Sequence, residues 1–278
     1  MKKLSPINLI LLVLFFSIVQ SFAQEYPWLV NYDSSQTIAA RISPPEGFRR
    51  TPVPQHSFLD WLRHLPLKPG KPDVLLFNGR KKNTQQVHVA VIDIDVGTRD
   101  LQQCADAVMR LRAEYLFSQK DFKAVHFNFT SGDTASFQKW SQGFRPVVRG
   151  NQVSWKKSAQ GDDSYRSFKK YLQTVFTYAG SASLEKELLR VPSALEIQIG
   201  DVFIQGGFPG HAVIVVDVAI NPQGEKVFLL AQSYMPAQEI HILRNPAHST
   251  SPWYSTDFTD QLVTPEWIFN KTHLRRFR

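Results

Sequence analysis

Two hydrophobic patterns divide this chain. Between residues 57 and 189 apolar positions recur mostly three and four apart, whereas from 200 onward they form Val- and Ile-rich runs broken by glycine and proline. Ser57-Phe58-Leu59-Asp60 opens a helix with the stripe Phe58, Leu59, Leu62 and Leu65, and Pro66 stops it. Short strands are expected over 74–77 and 87–95, parted by an Asn78-Gly79 turn. Asp100-Leu-Gln-Gln103 has the form of a capping box, which predicts a helix over 100–117 with Asp100 as its N-cap. Leu101, Cys104, Val108, Leu111 and Tyr115 share one face of it, while Arg110, Arg112 and Glu114 point elsewhere. Cys104 therefore falls in the first turn, on the face that packs inward.

Further along, a strand is expected over 124–129, a short helix over 136–140 and a hairpin over 147–155 around Gly150-Asn151. The stretch 164–178 is amphipathic, with Phe168, Tyr171, Leu172, Val175 and Phe176 on its apolar face, and 182–189 adds a helical piece. A strand over 200–205, the loop Gly206-Gly-Phe-Pro-Gly210 and a strand over 211–220 follow. The turn Asn221-Pro-Gln-Gly224 returns the chain along 227–232, and 236–243 offers one more strand. Helices first and an antiparallel sheet second, over about 197–243, predict an α+β fold forming one domain over residues 24–278.

The N-terminus changes where such a domain is expected to work. Lys2 and Lys3 precede a nearly continuous apolar stretch over 7–19 and the small-residue site Ser21-Phe22-Ala23. That order defines a removable secretory signal over 1–23, cut near Ala23, and a periplasmic or secreted protein. The apolar run is shorter than the roughly 20 residues of a membrane span, and no later segment is apolar enough for one. The formal charge of +8 falls to +6 once Lys2 and Lys3 leave. No basic block is laced with aromatics in the manner of a nucleic-acid binder, so none is expected as a partner.

Export makes the cysteine count informative. Cys104 is the chain's one cysteine, whereas exported proteins usually carry cysteines in pairs. It is either a buried apolar filler or a reactive thiol. At a helix start, free N–H groups and the macrodipole favour a thiolate by about 0.3–1 kcal/mol. A thiolate–imidazolium pair needs a nearby histidine, and His211, opening a strand behind Gly210, is the candidate base; its alternative is a histidine closing the strand's open end. Asp217 lies six residues along the same strand, about 20 Å away, too far to orient the ring. Gln232 falls roughly opposite Val213, on the face of His211, where its amide oxygen can accept from the ring or simply form a cross-strand structural bond. Gln103, Gln102 and the Cys104 N–H are candidate oxyanion donors, and Gly210 and Tyr234 candidate substrate contacts. His88 and His241 could form a histidine pair, but no cluster has metal-ligand spacing, and neither a metal nor a cofactor is expected.

The segments 100–116 (Asp100-Leu-Gln-Gln-Cys104 onward), 200–217 (Gly200-Asp-Val to Gly210-His211 and beyond) and 232–241 (from Gln232-Ser-Tyr234) resemble the bacterial family known as domain of unknown function 4846. A more distant likeness is to papain-like and NlpC-type cysteine peptidases and amidases, which share the order of helix-start cysteine, Gly-Asp-Val strand, Gly-His strand and polar residue on the next strand. That likeness implies Cys104 as nucleophile, His211 as base and Gln232 in the orienting place, where those families usually carry Asn, Asp or His. The expected function is hydrolysis or transfer of an amide in cell-envelope peptides through a thioester. The alternative is a non-catalytic envelope protein binding a glycan or peptide, with Trp140, Trp155, Tyr234, Trp253 and Tyr254 as contacts.

Overall fold

A single nine-stranded sheet, with every pairing antiparallel, organises the computed structural model, which describes residues 26–278. The expected signal segment, 1–23, lies outside the described residues. Six of the strands are β1 (His88–Val91), β2 (Val202–Gln205), β3 (His211–Ile220), β4 (Lys226–Gln232), β5 (His241–Leu243) and β6 (Leu274–Arg276). In space they run β1-β5-β4-β3-β2-β6, and Leu189–Arg190 closes the far edge. The α+β class with an antiparallel sheet is as expected.

The long apolar runs of β3 and β4 are buried almost throughout, which requires cover on both faces. Helices α1 (Phe58–Arg63) and α2 (Cys104–Ser118) lie against β3, and the C-terminal segment brings Phe258 and Phe269 onto Phe203. Ser57 caps α1 through the Asp60 N–H, as its position predicts. Helix α3 (Tyr165–Tyr178), capped by Ser164, packs on α2, with the rings of Phe168 and Phe117 stacked 4.4 Å apart. A short helix α4 (Ser181–Glu187) follows it. The Gly150-Asn151 hairpin forms from Phe144–Arg149 and Gln152–Lys157.

Several expectations are corrected. The sheet is not confined to 197–243: β1 joins one edge, β6 and Leu189–Arg190 the other, because an open strand edge is satisfied by any segment that can reach it. Residues 74–77 make isolated bridges from Leu75 to Lys81 and Leu76 to Gln238 instead of a strand. Helix α2 begins at Cys104 rather than 100, and Asp100 is not its cap. Gln103 is the N-cap residue, and Asp106, three residues on, accepts the Gln103 N–H at 3.0 Å. Arg110 and Glu114 leave the face of Cys104 as expected, yet both are buried, because α2 lies between the sheet and α3. They pair with each other, Arg110 reaches Asp95, and the Tyr165 hydroxyl donates to Glu114.

The hairpin of β3 and β4 carries one irregularity. Pairing runs from Ile220 with Lys226 to Asp217 with Leu229, then resumes at Val215 with Leu230 and Ile214 with Ala231. Val216 is the extra residue of a β-bulge, which changes the register for everything beyond it.

Candidate functional site

A cleft of about 410 Å³ opens where the start of α2 meets the end of β3 that carries His211. Cys104, Gln103, Gly210, His211 and Tyr234 all line it. Gln232 stands one strand behind, with its amide oxygen 2.9 Å from His211 Nε2. The six residues singled out from the sequence therefore gather at one place.

Local chemistry fixes each of them. Cys104 is the first residue of α2, where the first N–H groups of a helix have no partner within the helix. The N–H groups of Ala212, Ala105 and Cys104 itself approach its sulfur, so the thiol sits on the shoulder of β3. Gln103 lends its amide N–H to Asp100 at 3.0 Å, and Asp100 also accepts the Ala237 N–H at 2.7 Å. Gln102 is turned away from the cleft: Arg110 donates to its side-chain oxygen, and its carbonyl accepts from Ser233. Close approach to backbone requires glycine at 210, whereas at 206 the nearest atom belongs to the flexible Glu185 side chain. A Cβ at Gly206 would stand 2.4 Å from the Glu185 carboxylate, and one at Gly210 2.4 Å from the Gly207 carbonyl. The loop is thereby pressed against α4, with the Gly206 N–H donating to Glu185 at 3.0 Å.

Behind His211 runs a chain of polar groups. The Gln232 Nε2 donates to Glu266 at 2.7 Å and lies 3.3 Å from His241 Nε2. Glu266 is anchored in turn by Lys82 at 2.6 Å. The His241 Nδ1 faces the Glu239 carbonyl, which only accepts, so Nδ1 carries the proton and Nε2 receives. With a carboxylate and an accepting imidazole on its nitrogen, Gln232 must present its oxygen to His211. Nε2 of His211 is then the protonated nitrogen, and Nδ1, which no described residue engages, keeps its lone pair. Tyr234, Trp267 and Phe269 surround this ring at centroid distances of 4.8, 5.3 and 5.8 Å.

Electrostatics depart from the expected ion pair. Burial lowers His211 to about 4, against the Gln232 bond, which raises it; the Lys82 charge lowers it further. Burial pushes the Cys104 thiol up to about 11, opposed by the Ala212 N–H and assisted by the Asp106 charge. Both groups rest neutral, and no hydrogen bond joins thiol to imidazole among the described residues. The helix start is too weak to offset removal of the thiol from water.

Asp217 sits away from this cleft, bound by Arg50 at 2.6 Å and Arg63 at 2.7 Å. Of the aromatic residues expected as contacts, Tyr234 lines the cleft, whereas Trp140, Trp253 and Tyr254 are buried in the core and Trp155 packs against it. Sequence reasoning missed Trp267, Phe176, Phe208 and Met235 in the lining, and Lys82 and Glu266 behind it. Phe208 alone carried a signal, as the apolar residue of a glycine loop beside a candidate base. The rings of His88 and His241 lie 5.9 Å apart, with His88 Nε2 at the Pro72 carbonyl. No group of three or more histidine, cysteine or carboxylate side chains suited to a metal occurs among the described residues, nor does any helix long and apolar enough to cross a membrane.

Comparison with curated proteins and with solved structures finds no match. The family described as domain of unknown function (4846) matches residues 38–276, from before α1 to the last residue of β6. With its sheet, its cleft and all six of these residues inside the matched span, the chain belongs to that family.

Proposed function

We propose that the protein is an exported cysteine hydrolase or amidase that cleaves amide bonds of cell-envelope peptides through a Cys104–His211 dyad. We read residues 24–278 as one papain-like α+β domain behind a removable signal peptide. The observation that carries the reading is the His211–Gln232 pair, which leaves Nδ1 as the basic nitrogen beside a cleft holding the helix-start thiol.

In the proposed reaction, Nδ1 takes the thiol proton as sulfur attacks the amide carbon. Because both partners rest neutral, the proton moves during attack and not before substrate binds. The Cys104 N–H and the free hydrogen of the Gln103 amide are the donors for the oxyanion. Collapse expels the amine, which takes the proton from the imidazolium and leaves a thioester. Water, deprotonated by His211, then attacks the thioester, and the thiol recovers its proton as the carboxylic acid product leaves.

The test is turnover of soluble cell-wall peptide fragments by the purified mature protein. Expected is amide cleavage that Cys104→Ala abolishes, with an acyl adduct on Cys104 in quenched wild-type samples. Cleavage unchanged in Cys104→Ala would remove the proposal. A second reading, a binding protein for a glycan or peptide on the same scaffold, draws on the raised thiol and the missing thiol–imidazole bond; ligand retention without turnover is its outcome.

A further inference from the structure

A basic pocket adjoins the candidate cleft along α3. A narrow recess lies between them, sharing Leu101 and Phe176 with the cleft and Arg99 and Gln173 with the pocket. Helical spacing produces the arrangement. Lys169, Leu172, Gln173 and Phe176 line the recess, whereas Lys170, Gln173, Thr174 and Thr177 line the pocket. Each set recurs at i, i+3, i+4 and i+7, so α3 turns one stripe to each, with Gln173 on both.

The pocket, of about 380 Å³, is one-sided in charge: Arg99, Arg145 and Lys170 line it, and no carboxylate does. Arg145 is fixed in place. Its guanidinium lies 3.9 Å from the centre of the Trp140 ring and donates to the Trp140 and Phe144 carbonyls at 2.7 Å. Arg99 and Lys170 are exposed and enter no ion pair among the described residues. Asp162, outside the lining, is the acid whose charge reaches Arg145 and Lys170, and it also accepts the Ser164 N–H at 2.9 Å. In the recess, Asp95 is taken up by Arg110 and Lys169. Three cations gathered without a carboxylate between them repel one another, and an anionic occupant relieves that repulsion. The Gln173 amide, which has no other partner among the described residues, adds a donor beside them.

Helix geometry sets the spacing from the cleft. Phe176 in the cleft and Lys170 in the pocket are six residues apart on α3, about 9 Å along its axis. An extended peptide covers that length in about three residues. We infer that the Arg99–Arg145–Lys170 pocket is a subsite for an acidic side chain of a peptide, about three residues from the bond at which Cys104 acts. The position of that bond rests on the hydrolase reading; the preference for acidic peptides stands without turnover.

The test uses three acetylated, amidated octapeptides: four alanines flanked on each side by two glutamates, two glutamines or two lysines. Acids on both sides make the probe independent of the direction in which the chain lies. Binding to the mature Cys104→Ala protein is measured by calorimetry, and the same peptides are incubated with wild type to record cleavage. Expected is binding of the glutamate peptide about 10-fold tighter than its glutamine counterpart in about 50 mM salt, fading in about 500 mM. The lysine peptide should bind weakest. In the Cys104→Ala background, Arg99→Glu with Lys170→Glu should erase the preference. Arg49→Glu should keep it, since Arg49 is exposed beside Ile220, at the far end of β3 from His211. Equal binding of the three peptides, no binding of any, a preference surviving the double variant, or an equal loss in Arg49→Glu overturns the inference. Capture on phosphatidylglycerol vesicles without binding of the glutamate peptide overturns it too, in favour of a lipid surface. The comparison of peptides on the intact pocket stands even where the double variant fails to fold. Failure of the hydrolase reading looks different: the glutamate peptide bound selectively and never cleaved.

Discussion

Gln232 accepts the Nε2 hydrogen of His211 at 2.9 Å, and Glu266 holds its nitrogen from behind at 2.7 Å. The amide cannot rotate without setting its oxygen against a carboxylate, so one tautomer of His211 is selected. Replacement of Gln232 by Ala removes that selection while leaving Cys104 and His211 in place. A fall in kcat on the order of 10²–10⁴ is expected, the range that a positioned general base contributes, with KM nearly unchanged. Steady-state kinetics on cell-wall peptides checks it, and a pure KM effect would count against an orienting role.

Glu266 acts one step further out. Glu266→Gln keeps the shape but lets Gln232 turn over, and it leaves the Lys82 ammonium, nearly buried, without its partner. A smaller loss of kcat than for Gln232→Ala is expected, together with reduced thermal stability. Double-mutant kinetics should show that the two losses do not add, because both act through the same ring.

The neutral resting thiol has a direct consequence. With Cys104 raised to about 11, its deprotonated fraction grows with pH throughout the neutral range. Alkylation by iodoacetamide should be slow at pH 7 and climb steadily beyond pH 9 without a plateau. His211→Ala should barely alter that rate, yet abolish acylation by a peptide substrate, where the base is needed. A plateau with a midpoint below about 8.5 would show the preformed ion pair instead.

Acid should act on the buried histidines. Burial lowers His241 to about 3 and His211 to about 4, so the unfolded chain binds protons more readily than the folded one between those values and 6.5. Their contribution to stability is complete above about pH 6.5 and is lost as pH falls toward 4, by about 1.4 kcal/mol per unit for a group displaced throughout. Glu187, raised to about 7 by burial, works in the opposite sense over part of that window. The check is therefore a difference: between pH 6.5 and 4 the melting temperature of His241→Gln should fall less than that of wild type.

Arg110 ties the start of α2 to its surroundings through Asp95, Glu114 and Gln102. Arg110→Ala leaves Glu114 buried with a charge uncompensated. Destabilisation of about 3–5 kcal/mol is expected from chemical denaturation, since removing one partner strands the other.

Much of this site could be read along the chain because its parts are local. Cys104 at a helix start follows from residue spacing, and His211 at the mouth of a strand from a glycine loop and a Val-Ile run; both depend only on near neighbours. Asp100 is not the cap because the Ala237 N–H, distant in sequence, claims it, and Gln103 takes the N-cap position with Asp106 accepting its N–H. That Arg110 and Glu114 leave the face of Cys104 follows from spacing, whereas their burial does not, because it comes from α3 packing on that polar stripe. Lys82 and Glu266 carry no pattern at all, being 184 residues apart.

Gln232 shows where the division falls. The sequence by itself determined the two strands, their apolar runs and the turn between them. Had the register set next to that turn, Ile220 with Lys226, continued unchanged, Gln232 would pair with Ile214 and face away from His211. The bulge at Val216 shifts the pairing by one residue, which puts Gln232 opposite Val213 and on the face of His211. The turn Asn221–Gly224 read from the sequence already sets Gln232 roughly opposite Val213; only the tertiary structure decided that a tighter register beside the turn, corrected by the bulge, delivers that pairing. A bulge forms where packing on both faces of a strand and its neighbours rewards the extra residue, and the helices packed on β3 lie about 100 to 160 residues away in the chain.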